Sequence, residues 1–236
     1  MNPYQKLQNR KRTWTPVQTT AGELCAGSEE TIYRALAMRH MELPVGSFIQ
    51  DALSEIPALS ADLLKSNVKD EENHDLALGY NANALGVDET AEAEAKRLRD
   101  AWEAHPDHTV LKALVAERAI FFVLLPFFRF NGDAGLRTVS ADISRDEQVH
   151  VAANSLVCKE LGLEISPSLD KLRKATINWV MSPLKASTNK YLDKKFWLDA
   201  SDRLMYEGKA PELSDTKRAR MPAFFEHANP NLPQYA

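Results

Sequence analysis

Residues 143–150 read ISRDEQVH and place Glu147 three positions before His150. Residues 69–75 read KDEENHD and repeat that spacing with Glu71 and His74. Residues three apart on an α-helix project from the same face, so each pair can direct a carboxylate and an imidazole toward one point. The sequence therefore contains two Glu-x-x-His pairs, each within a segment that is predicted to be a long helix.

Both pairs share a helix face with apolar residues, which predicts that the pairs are buried. These are Leu64, Val68 and Leu78 around the first pair, and Leu136, Ile143 and Val157 around the second. Burying a carboxylate and an imidazole is costly unless the groups are paired or bind a metal ion. A compensating partner is therefore expected at both pairs.

Two further glutamates fit the same pattern. Glu117 lies in the almost entirely apolar segment 113–130, and Glu42 lies near the end of the first predicted helix. Glu42 precedes Glu71 by 29 positions, and Glu117 precedes Glu147 by 30. Each half of the chain thus reads as a helix with one glutamate followed by a helix with Glu-x-x-His.

Four carboxylates and two imidazoles from facing helices are the ligand set of ferritin-like di-iron and di-manganese proteins. Oxygen donors with a few imidazoles suit Fe and Mn, and no thiolate pattern for structural zinc is present because Cys25 and Cys158 lie far apart. We therefore expect a dinuclear centre of Fe, Mn or both. The expected ligands are Glu42, Glu71, His74, Glu117, Glu147 and His150.

Each ligand also has an ordinary structural interpretation. Glu71 lies in a run of charged residues, and Glu147 follows Arg145-Asp146, patterns that are typical of a solvated helix face. Glu117 can instead be a buried partner of Arg118 or Arg129. Taken together, these structural interpretations require several unrelated charged residues to be buried by chance. A shared metal site explains them all at once and is therefore favoured.

The first predicted helix offers three candidates for its ligand. Glu30 competes with Glu42, and His40 is a weaker alternative. A glutamate in the first turn of a helix ordinarily complements the helix dipole, which favours Glu42 over Glu30 as the ligand.

The helical signals predict an all-α fold, namely a ferritin-like bundle with a four-helix dimetal core and additional helices. Only nine glycines occur in 236 residues, and no segment alternates with the period of a half-buried strand. The predicted helices are residues 28–43, closed by Pro44 and Gly46; 60–85; 89–104; 108–130, kinked at Pro126; 134–161; 169–181; and 191–206.

Composition narrows the function classes. Twenty-nine basic and 33 acidic residues give a formal net charge of −4, which argues against nonspecific binding to nucleic acid or membrane surfaces. The longest apolar run, residues 119–128, is half of the roughly 20 residues that a membrane span requires. With two isolated cysteines and no signal peptide at the polar N-terminus, a cytoplasmic location is expected.

Three regions are predicted along the chain. Residues 1–27 form an N-terminal extension, residues 28–206 the dimetal helical domain, and residues 207–236 a flexible tail. Four prolines interrupt the tail, and its aromatic residues suggest a peptide that docks on a partner.

At the motif Arg145-Asp146-Glu147-x-x-His150, the sequence resembles the small, radical-generating subunit of class I ribonucleotide reductase. The resemblance implies that Asp146 hydrogen-bonds to His74. It also implies a homodimer whose tail docks on the large catalytic subunit, with Trp14 and Tyr235 relaying an oxidising equivalent to a cysteine of that subunit. Ribonucleotides would then be reduced to deoxyribonucleotides in the partner.

The chain departs from that family at the usual radical tyrosine. The position one helical turn after His74 is Leu78, and Tyr80 points to a different face. The resemblance then implies that the oxidising equivalent stays on the metals, without a stable tyrosyl radical.

The main rival is a stand-alone ferritin-like oxygenase or oxidase acting on a small apolar substrate. A channel lined by Phe121, Leu125 and Leu78 would favour that rival. An iron-storage protein and a metal-free helical protein are further alternatives.

Overall fold

The computed structural model describes residues 2–213, and this part of the chain is helical, without a strand. The backbone of Lys185 and Asp193 forms one isolated bridge. The predicted all-α class is confirmed. The helices are α1 (Pro3–Gln8), α2 (Glu29–Ala37), α3 (Glu42–Ala52), α4 (Ala61–Leu85), α5 (Glu89–Glu103), α6 (Thr109–Ala116), α7 (Phe122–Asn131), α8 (Ala134–Glu160), α9 (Pro167–Met181) and α10 (Lys194–Glu207).

The helices at the centre of the described residues pack on one another. Helix α3 packs on α4 and α6, and α8 packs on α4, α6 and α7. The remaining helices cover this core, and the largest fully buried side chains include Trp102, Phe127 and Trp197. Within the described part of the chain, no helix combines the length and apolar character needed to cross a membrane.

The first predicted helix is divided in the structure. Helix α2 ends at Ala37, a 3₁₀ turn spans Met38–Met41, and α3 begins at Glu42. The prediction that Pro44 and Gly46 close a helix is wrong. Pro44 lies in the first turn of α3, where a backbone N–H has no intrahelical partner to lose, and α3 continues through Gly46. Glu42 therefore begins a helix instead of ending one.

The predicted helix at residues 108–130 also contains a break in regular α geometry. A π-helical turn at Glu117–Phe121 separates α6 from α7, while Pro126 lies inside α7. A π turn widens the helix by one residue, and such turns are frequent at functional sites. Glu117 is the first residue of this turn, so the break lies at an expected ligand.

The N-terminal region contributes to the fold more than the sequence indicates. Helix α1 was not predicted; Asn2 caps it and Tyr4 and Leu7 bury their side chains in the core. The chain then contacts α4 through Lys11 and α8 through Trp14. The first 27 residues thus reach the two helices that carry the Glu-x-x-His pairs.

The beginning of the predicted tail is ordered. Helix α10 ends at Glu207, Gly208 adopts the left-handed conformation with φ of 71°, and a turn at Pro211–Leu213 buries Leu213. The rest of the predicted tail, which includes Tyr235, lies outside the described residues.

Candidate metal centre

All six expected ligands converge in the core. Helix α3 supplies one, α4 two, the π-helical turn one and α8 two. None exposes more than 1% of its surface. The six are Glu42, Glu71, His74, Glu117, Glu147 and His150.

One group of ligands surrounds His74. Its Nδ1 atom lies 3.2 Å from Glu71 Oε2, 3.4 Å from Glu147 Oε1 and 3.7 Å from Glu42 Oε2. One ligand atom from each of the four residues lies within 4.8 Å of the others. This group is compact enough to hold a metal ion.

A second group surrounds His150. Its Nδ1 atom lies 2.9 Å from Glu71 Oε1 and 3.8 Å from both Glu117 Oε1 and Glu147 Oε2. Ligand atoms of Glu71, Glu117 and His150 also lie within 4.8 Å of one another. This group can likewise hold a metal ion.

Glu71 and Glu147 belong to both sides of the site. Each presents one carboxylate oxygen to His74 and the other oxygen to His150. The two imidazole rings are 5.7 Å apart between centroids. The two carboxylates therefore lie between the histidines, in the position of bridging groups.

Buried polar atoms at the site lack hydrogen-bond partners. Leaving such atoms unpaired is costly, so a cation is the expected complement to oxygen acceptors that have no donor. Because the donors are mainly carboxylate oxygens with two imidazoles, the residues fit Fe or Mn. The unpaired atoms are both carboxylate oxygens of Glu42 and of Glu147, Oε1 of Glu71 and of Glu117, and Nδ1 of His150.

The pKa values of the carboxylates show the cost of their burial. Burial raises the pKa of Glu42, Glu117 and Glu147, and the negative charge of the nearby carboxylates adds to this effect. Burial also opposes ionisation of Glu71, but the charge of the nearby His150 lowers its pKa below the usual range. A bound cation would relieve the repulsion among these four groups.

The expected contact between Asp146 and His74 is present. His74 Nε2 lies 3.3 Å from Asp146 Oδ2, and the Trp14 indole N–H donates to the same oxygen at 2.6 Å. The Trp14 ring also stacks over His74 with centroids 6.2 Å apart. Asp146 thus connects Trp14 to the histidine, which leaves His74 Nδ1 facing the carboxylates.

Two supporting residues were missed from the sequence. Asp70 Oδ2 lies 2.9 Å from His150 Nε2 and 2.5 Å from Lys11 Nζ. Asn154 donates to Glu117 Oε2 at 2.8 Å. The signal for Asp70 was available, because an aspartate immediately precedes both Glu-x-x-His motifs. Asn154 follows His150 by one helical turn and carries no comparable signal.

The competing first-helix assignments lie outside the cluster. Glu30 is exposed and pairs with Arg34 at 2.7 Å, and His40 Nε2 lies 2.6 Å from Glu92. Glu42 is the glutamate that reaches the site.

The competing partners of Glu117 have other contacts. Arg118 donates to the Leu204 carbonyl at 2.9 Å, and Arg129 donates to Ser144 Oγ at 2.7 Å. The hydrogen bond to Glu117 Oε2 comes from the neutral amide of Asn154, which brings no positive charge to the carboxylate.

Comparison of the chain with protein-family models finds no match. No curated protein and no solved structure matches it either.

Proposed function

We propose that the protein is a ferritin-like oxidoreductase with a dinuclear Fe or Mn centre. The observation that carries the proposal is that Glu71 and Glu147 each present their two oxygens to different histidines. A single ion would be bound by oxygens that face the same point. Carboxylates whose two oxygens face different histidines suit two ions that share them.

Charge balance supports two ions. Four ionised glutamates and two neutral imidazoles neutralise two divalent cations, and no thiolate belongs to the cluster. When bound, Fe or Mn supplies one-electron redox chemistry.

Apolar side chains are buried on the helical segments that follow His74 and Glu117. Leu78, Phe121 and Leu125 are each at most 2% exposed. A dry environment strengthens the electrostatic interactions of the ligands and protects oxidising species from side reactions. The chain thus supplies ligands, their orientation and an apolar enclosure.

Within this class, we propose the role of the small subunit of class I ribonucleotide reductase. The support is the hydrogen-bonded path from Trp14 through Asp146 to His74. An electron can travel along such a path between the centre and the surface. On this proposal, Tyr235 continues the path to a cysteine of the large catalytic subunit, the protein forms a homodimer, and ribonucleotides are reduced in the partner.

Leu78 bears on where the oxidising equivalent is held in this proposal. It occupies the position one turn after His74 on α4 and is 2% exposed. An aliphatic side chain cannot be oxidised reversibly, so the oxidising equivalent is held by the metals without a stable tyrosyl radical.

A stand-alone oxygenase or oxidase is the second candidate, and one cleft favours it. A cavity of about 320 Å³ lies against the π-helical turn and α8 and includes Phe122, Val151 and Ala152 in its walls. These apolar residues would suit a small apolar substrate. Arg118, Gln148 and Val151, which also line it, each follow a metal ligand in the sequence.

The first experiment is metal reconstitution under anaerobic conditions with Fe²⁺, Mn²⁺ or both, followed by elemental analysis. Two ions per chain are expected, and the Glu147→Ala variant should lose them while remaining helical by circular dichroism. Absence of stoichiometric Fe or Mn in the wild-type protein would refute the proposal.

The second experiment separates the two candidate roles. The metal-loaded protein is exposed to oxygen and assayed for ribonucleotide reduction with the cognate large subunit. Turnover that requires the large subunit supports the reductase role. Oxygen-dependent oxidation of a small apolar compound without that subunit supports the oxygenase.

A further inference from the structure

We propose that a cleft between α3 and α4 is the port through which divalent metal ions reach the centre. The inference rests on the metal binding proposed above and concerns the route of the ions, which that proposal leaves open. We call this cleft the Gly46 port.

The Gly46 port connects solvent with a ligand of the centre. It has a volume of about 190 Å³, and its walls include the exposed residues Ser47, Gln50 and Glu72 and the buried residues Gly46 and Glu71. Glu71 is one of the two carboxylates that face both histidines. An ion that enters this cleft therefore comes to lie beside the side chain of a ligand that faces both histidines.

Gly46 keeps the cleft open. A glycine within a helix costs about 1 kcal/mol relative to alanine. The backbone of Gly46 does not require glycine, because its φ is not positive. A Cβ atom there would lie 3.5 Å from Glu71 Cβ and Cγ and 3.6 Å from Val68 Cγ1, which are ordinary contacts. Packing does not demand the glycine either, whereas a longer side chain would fill the space beside Glu71.

The charge of the Gly46 port favours cations. Glu72 lies at its exposed side, and the buried Glu71 Oε1 atom lacks a hydrogen bond. A cleft lined by charge of one sign concentrates ions of the opposite sign and accelerates their association. The polar groups of Ser47 and Gln50 can replace part of the ion's hydration as it enters.

Two other clefts are less suitable for cations. The 320 Å³ cleft contains Arg118 in its wall. In a cleft of about 150 Å³, Arg39 and Arg99 offset the charges of Asp75 and Glu103. Neither of these clefts is lined by one of the six ligands. The Gly46 port combines acidic charge with a ligand in its wall.

The test uses the full chain in metal-free form and measures Co²⁺ uptake by stopped-flow absorbance, with elemental analysis of the end point. In Gly46→Leu the ions must await an opening motion of the helices, so uptake should slow by about tenfold. Release to a chelator should slow by the same factor, leaving the dissociation constant unchanged. Gly79→Leu is the matched control, because it also replaces a glycine in a long helix and a Cβ there has no neighbour within 4 Å.

A second variant tests the charge without filling the cleft. Glu72→Gln should slow uptake by about two- to threefold and reduce its dependence on salt. Glu89→Gln, an exposed glutamate on α5, is the control. This pair keeps the proposal testable if Gly46→Leu does not fold.

The possible outcomes distinguish failure of the port proposal from failure of the metal-centre proposal. Wild-type uptake kinetics in both Gly46→Leu and Glu72→Gln would overturn the port while leaving the centre intact. A change in the dissociation constant of Gly46→Leu without slower uptake would also overturn it. Failure of the wild-type protein to bind Co²⁺, Fe²⁺ or Mn²⁺ would instead refute the centre on which the port depends.

Discussion

The Nε2 atom of His150 lies 2.9 Å from the Oδ2 atom of Asp70. This contact repeats the one between His74 and Asp146, which is 3.3 Å long. Each aspartate comes from the helix that carries the opposite histidine. The two helices therefore exchange supporting carboxylates, and each exchange fixes the orientation of an imidazole whose Nδ1 atom faces the metal ligands.

We predict that Asp70→Asn and Asp146→Asn each weaken metal affinity by about 10–100-fold. An asparagine keeps the size of the side chain but removes the negative charge that orients the imidazole and raises its basicity. Competition with a chromophoric chelator measures the affinity. Asp142→Asn is the control, since Asp142 lies on α8 and pairs with Arg145. Unchanged affinity in both test variants would show that the aspartates do not support the ligands.

The outer partners of the two aspartates differ, and this difference leads to a second prediction. Asp70 contacts the Lys11 ammonium group, whereas Asp146 accepts a hydrogen bond from Trp14. Trp14→Phe should leave metal content unchanged but slow reduction of the oxidised centre by a one-electron donor, measured by stopped-flow absorbance. Trp179→Phe, on α9 beside Arg34, is the control. Equal rates in the two variants would exclude Trp14 from the electron path.

The convergence of the six ligands could be predicted because each signal is local. The spacing of Glu71 from His74, and of Glu147 from His150, fixes a shared helix face, and buried charge without a nearby partner requires compensation. The long helices followed from hydrophobic pattern and from capping residues in the same way.

The features that escaped prediction depend on tertiary contacts. The 3₁₀ turn at Met38–Met41 separates two helices although no proline or glycine lies within it. The extended chain around Trp14 has no periodicity, so the sequence does not show that it crosses α4 and α8. Asp70 lies in the same run of charged residues as Glu71, a pattern typical of a solvated helix face, yet packing against Lys11 and His150 makes it a partner of the site.

A third prediction concerns the stability of the metal-free protein. Burial raises the pKa of Glu42, so its ionised form destabilises the fold at neutral pH when no cation is bound. Glu42→Gln should therefore stabilise the metal-free protein by about 1–3 kcal/mol while weakening metal binding. Thermal denaturation with and without Mn²⁺ checks both effects. Glu30→Gln, on the surface, should change neither. A lower melting temperature of metal-free Glu42→Gln would contradict the prediction.

A fourth prediction addresses the proposed relay beyond the described residues. Tyr235→Phe should abolish ribonucleotide reduction with the cognate large subunit, since phenylalanine cannot exchange a proton and an electron in the way a tyrosine does. Metal content and binding to the large subunit should stay at wild-type levels. Tyr33→Phe, on α2, provides the matched control. Undiminished turnover in Tyr235→Phe would remove that residue from the relay.

The last prediction concerns the identity of the oxidised species. Leu78 is buried one helical turn after His74, and Tyr80, the nearest tyrosine along α4, is only partly buried. Electron paramagnetic resonance of the oxygen-exposed, metal-loaded protein should therefore show metal-centred signals without a tyrosyl radical.

Tyr80→Phe provides the decisive comparison for that measurement. Because Tyr80 lies six positions after His74, it occupies a different face of α4 from Leu78, and its removal should leave the spectrum unchanged. A tyrosyl signal in the wild-type protein that disappears in Tyr80→Phe would show that the radical lies on the opposite face of the helix from Leu78. The substitution of leucine for the expected tyrosine would then have relocated the organic radical instead of eliminating it, and the assignment of the oxidising equivalent to the metals would be wrong.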